Sequence, residues 1–218
     1  MIFPPFQQAM NLFQQQGLNQ YCRMLREQLE GNLRRPYRPH GLIVSEQNAN
    51  GVTAELLYWQ HDAPRRYVLY LHGGGYVLGS MDTHRELAAQ IAHRANARVL
   101  VIDYRLAPET QYPGALDDTE QAYRWLLDIG VPANQIAIAG DSAGGGLALA
   151  LMQRLKQQQM PLPAASVLLS PWVDLTCQAA SLDTNTATDM ILNKAQMMSF
   201  ARVYAGSTSL SEPGLSPL

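Results

Sequence analysis

The residues best placed to do chemistry are Ser142 and its neighbours, in the stretch Ile136-Ala137-Ile138-Ala139-Gly140-Asp141-Ser142-Ala143-Gly144-Gly145-Gly146. A short apolar run rich in isoleucine and alanine reads as a buried parallel strand. The run breaks at Gly140, and from Ala143 to about Gln159 apolar residues recur at helical spacing. Ser142 therefore falls on a sharp strand-to-helix turn inside a Gly-x-Ser-x-Gly pattern, whose glycines leave room for strand and helix to approach. A serine held there in strained dihedrals is lifted above the sheet at a helix N-terminus, which is a nucleophile's position. Asp141 beside it suits either an electrostatic role or a helix cap that supports the turn. A second stretch, Tyr67-Val68-Leu69-Tyr70-Leu71, reads as another buried strand and ends in His72-Gly73-Gly74-Gly75. Residues without side chains, placed directly after a strand, let backbone N–H groups face a ligand. A developing oxyanion needs such donors.

The elements that must position these residues follow from the rest of the pattern. Between Pro5 and Glu30 the apolar residues Phe6, Met10, Phe13, Tyr21, Met24, Leu25 and Leu29 sit at helical intervals interrupted near Gly17, which predicts two amphipathic helices. The segment from Leu33 to His40, with three arginines and two prolines, reads as a linker. Leu42–Val44 and Val52–Trp59 bracket the turn-forming Asn50-Gly51, as in a hairpin. Strand and helix then alternate. The strand before His72 is followed by a helix over roughly Asp82–Asn96, a strand at Arg98–Ile102 and a helix at about Ala115–Asp128. The strand and helix around Ser142 follow, and a last strand spans Ala165–Leu169. Such alternation implies an α/β fold, a mostly parallel sheet with helices on both faces. Gln178–Gly206 differs, polar at first and helical from about Asn193.

With both motifs in this order, the sequence resembles the hormone-sensitive-lipase-like branch of the α/β-hydrolases, bacterial esterases that carry His-Gly-Gly-Gly and Gly-Asp-Ser-Ala-Gly. Further stretches match that family in its own order: Asp103-Tyr104-Arg105-Leu106-Ala107-Pro108-Glu109, Tyr112-Pro113, Ser170-Pro171-Trp172-Val173-Asp174-Leu175 and Leu215-Ser216-Pro217-Leu218. The resemblance implies a carboxylic ester hydrolase for short to medium acyl chains, working through a Ser142 acyl-enzyme with no metal or cofactor. It implies that the N–H groups of Gly74, Gly75 and Ala143 form the oxyanion hole, and that His72 and Gly73 hold the glycine loop in place. It also implies that Asp103, Arg105 and Glu109 build a salt-bridged scaffold. Residues 1–40 and 178–206 would form a helical cap over a core of residues 41–218.

One departure from the family pattern is serious. The triad in this fold runs Ser, then Asp or Glu, then His along the chain. The histidines here are His40, His61, His72, His84 and His93, and all precede Ser142. Asp174 could be nominated as the acid, but with no later histidine to orient it reads as a turn residue. The expectation is therefore an incomplete hydrolase, truncated after its sixth strand, with an apolar strand edge left open. A C-terminal complement or a second copy of the chain is the expected protein partner. The competing reading is a non-catalytic member of the fold that binds a small ligand.

The totals narrow the remaining classes. With 47% apolar and 16% charged residues the chain has an ordinary globular composition, and a net charge of −2 gives no electrostatic case for nucleic acid or an anionic membrane. Two cysteines, Cys22 and Cys177, are too few for a disulfide framework and lack metal-site spacing, so both are expected to be buried apolar groups. Met1-Ile2-Phe3-Pro4-Pro5 lacks the basic-then-apolar order of a secretory leader, and no apolar run approaches membrane-spanning length. A cytoplasmic location is expected.

Overall fold

A computed structural model of the chain describes residues 18–31, 37–60 and 65–218. Its elements are α1 (Leu18–Gly31), β1 (Leu42–Ala49), β2 (Val52–Trp59), β3 (Tyr67–Leu71), α2 (Met81–Ala95), β4 (Arg98–Ile102) and α3 (Gly114–Asp128). They continue with β5 (Ile136–Asp141), α4 (Ala143–Gln157), β6 (Ala165–Leu169), the single turn α5 (Ser181–Thr184) and α6 (Lys194–Ala205). Of the two N-terminal helices expected, the first lies outside the described residues and the second is α1. Residues 33–36, half of the linker, also lie outside them. The short α5 was hidden in a stretch that reads only as polar.

Six strands form one sheet in the order β1-β2-β4-β3-β5-β6. The hairpin β1–β2 is antiparallel, as is the β2–β4 pairing; β4, β3, β5 and β6 run parallel. At the hairpin tip Asn50 and Gly51 take φ of 53° and 96°, the left-handed pair that matches the twist of the flanking strands.

Side-chain alternation along the strands sorts the core into two faces. Val68, Tyr70, Val99 and Val101 pack with Ala88, Ala89 and Ala92 of α2 on one side. Leu69, Leu71, Leu100 and Ile102 pack on the other with Leu116, Ala122, Tyr123 and Leu126 of α3 and Leu147, Leu151 and Leu155 of α4. Small alanines on α2 let that helix lie close to the sheet. Its start is pinned by a capping box between Ser80 and Thr83.

The open edge expected at the last strand is present. Among the described residues β6 pairs with β5 alone, and Val167 and Leu169 remain 53% and 41% exposed. A strand edge of this kind offers unpaired backbone groups to any further strand. Cys22 and Cys177 are both free and buried, as expected of small apolar groups.

Candidate active site

The register of β3 against β5 creates the site. Tyr70 lies opposite Ala139 and Leu71 opposite Gly140, so the two strands end side by side and their loops leave the sheet together. Ligand sites in open α/β sheets form at such carboxyl ends of strands. One loop is His72-Gly73-Gly74-Gly75 and the other is the elbow at Ser142.

Ser142 takes φ 51° and ψ −119°, a conformation costing a non-glycine residue on the order of 1–3 kcal/mol. Its backbone is held on every side. Its N–H donates to Leu169 O at 2.9 Å, and its carbonyl accepts from Trp172 N at 2.8 Å, Gly145 N at 3.1 Å and Gly146 N at 3.2 Å. The side chain makes no capping bond to α4, so the hydroxyl is not spent on the helix it precedes. The flanking glycines are dictated by sterics. A Cβ on Gly140 would lie 2.4 Å from Gly144 O, and one on Gly144 would lie 2.0 Å from Leu71 O. Strand and helix approach as closely as the pattern predicts.

In the glycine loop, Gly74 and Gly75 take φ of +119° and +65°. Gly74 O accepts from Val77 N at 3.1 Å and Leu78 N at 2.8 Å, closing a tight turn. Among the described residues, no acceptor takes the N–H of Gly74, Gly75 or Ala143; Ala143, first in α4, has no intrahelical acceptor to reach. The ring of Phe200, from α6, lies against Gly75 so closely that a Cβ there would come within 2.6 Å of Phe200 Cδ2. Next to it, Tyr76 stacks on Tyr204 with ring centroids 3.9 Å apart.

Asp141 does not cap α4. Its Oδ1 instead accepts from Gly73 N at 2.9 Å and from the Tyr70 hydroxyl at 2.8 Å, with His84 Nε2 at 3.5 Å. The carboxylate thus ties the elbow to the glycine loop directly, and Gly73 must lack a side chain because a Cβ would lie 2.1 Å from Asp141 Oδ2. Burial pushes the Asp141 carboxyl up. The bond and charge of His84 and the bonds from Tyr70 and Gly73 outweigh it and hold the carboxyl below its usual range.

His72 is buried under this arrangement. Nδ1 lies 2.8 Å from Gly73 O, so it carries the proton and donates, while Nε2 is a buried acceptor with no partner among the described residues. The ring stacks on Tyr104 at 4.2 Å. Burial pushes its pKa down to about 4.

The scaffold expected from Asp103, Arg105 and Glu109 is three separate anchors rather than one network. Asp103 accepts from Met81 N at 2.7 Å, Arg105 pairs with Asp118 at 2.7 Å, and Glu109 pairs with Arg26 of α1 at 2.9 Å. Asp174 accepts from Thr176 N at 2.8 Å, a turn contact as expected. A cleft of about 410 Å³ opens between α1 and the loop after β4, lined by residues that include Arg26, Glu30, His72, Asp103 and Glu109 but not Ser142. Tyr70, His84, Arg26 and Phe200 were not singled out by sequence reasoning. Tyr70 and Phe200 look like ordinary core aromatics, and only the contacts reveal their placement. Among the described residues, no group of three or more histidine, cysteine or carboxylate side chains is placed to hold a metal, and no helix is long and apolar enough to cross a membrane.

Comparison with known proteins gives the family of the chain. A family model described as alpha/beta hydrolase fold matches residues 68–218. An acetyl-hydrolase of Streptomyces hygroscopicus is 45% identical over 152 residues, covering 70% of this chain and 51% of that protein. An esterase of Acinetobacter venetianus is 35% identical over 202 residues, covering 92% of this chain and 63% of that protein. The crystal structure of an esterase from the bacterial hormone-sensitive lipase family superposes with a TM-score of 0.85 at 44% identity, covering 88% of this chain and 65% of that one. The chain thus spans between about half and two thirds of these relatives' lengths. The matched family model, together with the serine elbow and the glycine loop, places the chain in the α/β-hydrolase fold family, in its hormone-sensitive-lipase-like branch.

Proposed function

We propose that this polypeptide is the nucleophile-bearing part of a carboxylic ester hydrolase for short to medium acyl chains. The observation that carries the reading is Ser142, held at positive φ beside a loop whose Gly74 and Gly75 amides meet no acceptor among the described residues. Ser142 Oγ attacks the ester carbonyl, its proton passes to a base, and the carbonyl oxygen takes on negative charge. The N–H groups of Gly74, Gly75 and Ala143 receive that charge; losing one such donor typically costs about 100- to 1000-fold in rate. Collapse of the intermediate expels the alcohol and leaves an acyl-enzyme, which water then hydrolyses. His72 is not the base in this reading. It is neutral, enclosed and committed through Nδ1 to Gly73, so it holds the loop, as Asp141 does from the other side. The names acetyl-hydrolase and esterase carried by relatives support an ester substrate with a small acyl group.

The proton acceptor and its carboxylate belong to polypeptide that adds beside β6, where the sheet edge is open. α1 and α6 roof the acyl site, and α6 reaches it through Phe200, whose ring lies against Gly75. Two free, buried cysteines suit a reducing compartment, the cytoplasm.

The test is Ser142→Ala in the ester-hydrolysing protein. Turnover should fall by on the order of 10⁴- to 10⁶-fold, and a fluorophosphonate, which bonds its phosphorus to Oγ and releases fluoride, should label the peptide containing Ser142 only when the serine is present. Retained turnover in the variant overturns the assignment. An intact protein that binds esters but neither turns them over nor reacts with the probe would instead be the non-catalytic binder. The position of all five histidines before Ser142 is the one feature that favours that reading.

A further inference from the structure

Arg26 lies on α1, remote in sequence from either loop, yet its guanidinium reaches three acceptors around the glycine turn. Nε donates to Val77 O at 2.7 Å and Nη2 to Ala107 O at 2.6 Å, while Nη1 and Nη2 each bind the Glu109 carboxylate at 2.9 Å. The bonds from Arg26 hold the Glu109 carboxyl below its usual range. Val77 is fully buried, and among the described residues no backbone donor takes its carbonyl, so without Arg26 that acceptor would be left unpaired at a cost. The neighbouring Tyr76 O accepts from Ala107 N at 2.9 Å, so Arg26 grips both strands of a small backbone knot.

That knot closes the turn that aims the Gly74 and Gly75 amides. Glycine has broad freedom in φ, so a turn opening on three glycines takes its direction from external contacts rather than from its own dihedral preference. On the α6 side these contacts are the Tyr76–Tyr204 stack and Phe200 against Gly75. On the α1 side the polar contact is Arg26. A planar fork serves here where an ammonium would not, because the acceptors sit in different directions around one guanidinium.

We propose that Arg26 is a positioning residue through which the docking of α1 sets the direction of the Gly74 and Gly75 amides. Seating α1 then completes the donor pair, and releasing it loosens that pair while the sheet stays intact. The assignment of these amides as oxyanion donors rests on the function proposed above; the clamp itself does not.

Amide hydrogen exchange separates the two. In Arg26→Met, the Val77 and Leu78 amides, which bond Gly74 O, should exchange on the order of tenfold faster, since bonds to a charged donor have been lost. Amides of β4 and β5 should be unchanged. Arg26→Lys should fall between, and Glu109→Gln, which keeps the bonds to Val77 and Ala107, should stay near the parent. Unchanged protection of Val77 and Leu78 in Arg26→Met overturns the clamp. If that variant loses protection throughout the sheet, the Lys and Gln variants decide, and equal behaviour of those two overturns it. In the ester-hydrolysing protein, Arg26→Lys should lower kcat about tenfold with KM within about twofold, because donors matched to the transition state act on kcat. Local loosening with unchanged kcat would overturn the link from α1 to the reacting carbonyl while leaving the nucleophile assignment untouched.

Discussion

Acidification is expected to destabilise the fold through one imidazole. His72 is 1% exposed, its Nδ1 proton is committed to Gly73 O, and Nε2 has no partner among the described residues. Protonating Nε2 would put a charge and an unmatched donor into a dry site between Tyr104 and the loop. Burial therefore lowers the pKa first of all; the Gly73 carbonyl and Asp141 oppose it, His84 adds to it, and the result is about 4 against 6.5 for the free side chain. Between those values the unfolded chain holds more protons than the folded one, so stability rises with pH across the window. The contribution is fully present above about pH 6.5 and is lost as pH falls towards 4. At about 1.4 kcal/mol per tenfold in proton affinity the whole effect is about 3 kcal/mol, most of which should be gone by pH 4.5. Urea unfolding of the parent and of His72→Phe at pH 7, 5.5 and 4.5 measures it. Phenylalanine keeps a ring against Tyr104 but cannot titrate. It should be less stable at pH 7 by about 1 kcal/mol, the bond to Gly73 O, yet lose less on acidification. Other groups titrate in both proteins and cancel in the difference. Two curves that fall in parallel would refute the reasoning.

Two further substitutions probe the loop and the edge. Gly75→Ala should cost about 1–3 kcal/mol, because φ is +65° and the new methyl meets Phe200. Combined with Phe200→Ala it should show non-additive recovery of the steric share only, and strict additivity of the two melting shifts would show that the ring does not press on Gly75. In the 218-residue polypeptide by itself, Val167→Lys on the exposed face of β6 should change unfolding free energy by less than about 0.5 kcal/mol and should not raise light scattering above the parent's. A loss above about 1.5 kcal/mol in that polypeptide would refute the open edge.

The core of the fold was legible because its signals are local. Each apolar run of five or six residues became a strand, and Gly140, Ser142 and Gly144 declared the elbow once their spacing was set between an apolar run and a helical one. The hairpin was visible in Asn50-Gly51 for the same reason, since few other pairs accept left-handed dihedrals twice in succession. What escaped was contact at a distance. Asp141 read as either an electrostatic group or a cap, since an acidic residue before a helix commonly caps it; only the register of β3 against β5 brings Gly73 N within reach of its carboxylate. Arg26 carried no motif at all, and its acceptors lie 51 and 81 residues away. Asp103, Arg105 and Glu109 share a stretch of sequence but point to different partners, which spacing in a loop cannot reveal.

The contacts around Ser142 also bear on how the proposed reaction would be assembled. The strain at the serine is opposed by Leu169, Trp172, Gly145 and Gly146 through the backbone, and by a helix seated on Leu71 O with no Cβ between. The glycine turn is opposed by Asp141 within the sheet, by Arg26 from α1 and by Phe200 and Tyr204 from α6. Each of these constraints lies within residues 26–204, so the proposed nucleophile and the proposed amide cradle are both held in place by this polypeptide itself. Polypeptide adding at β6 would then contribute proton transfer and the orientation of an imidazole, and would not have to build the oxyanion geometry. That division predicts its own energetics: the strain of the elbow is met by burial of β3, β5 and α4, so complementation at the edge should alter the rate of acylation far more than the shape of the site that receives the carbonyl.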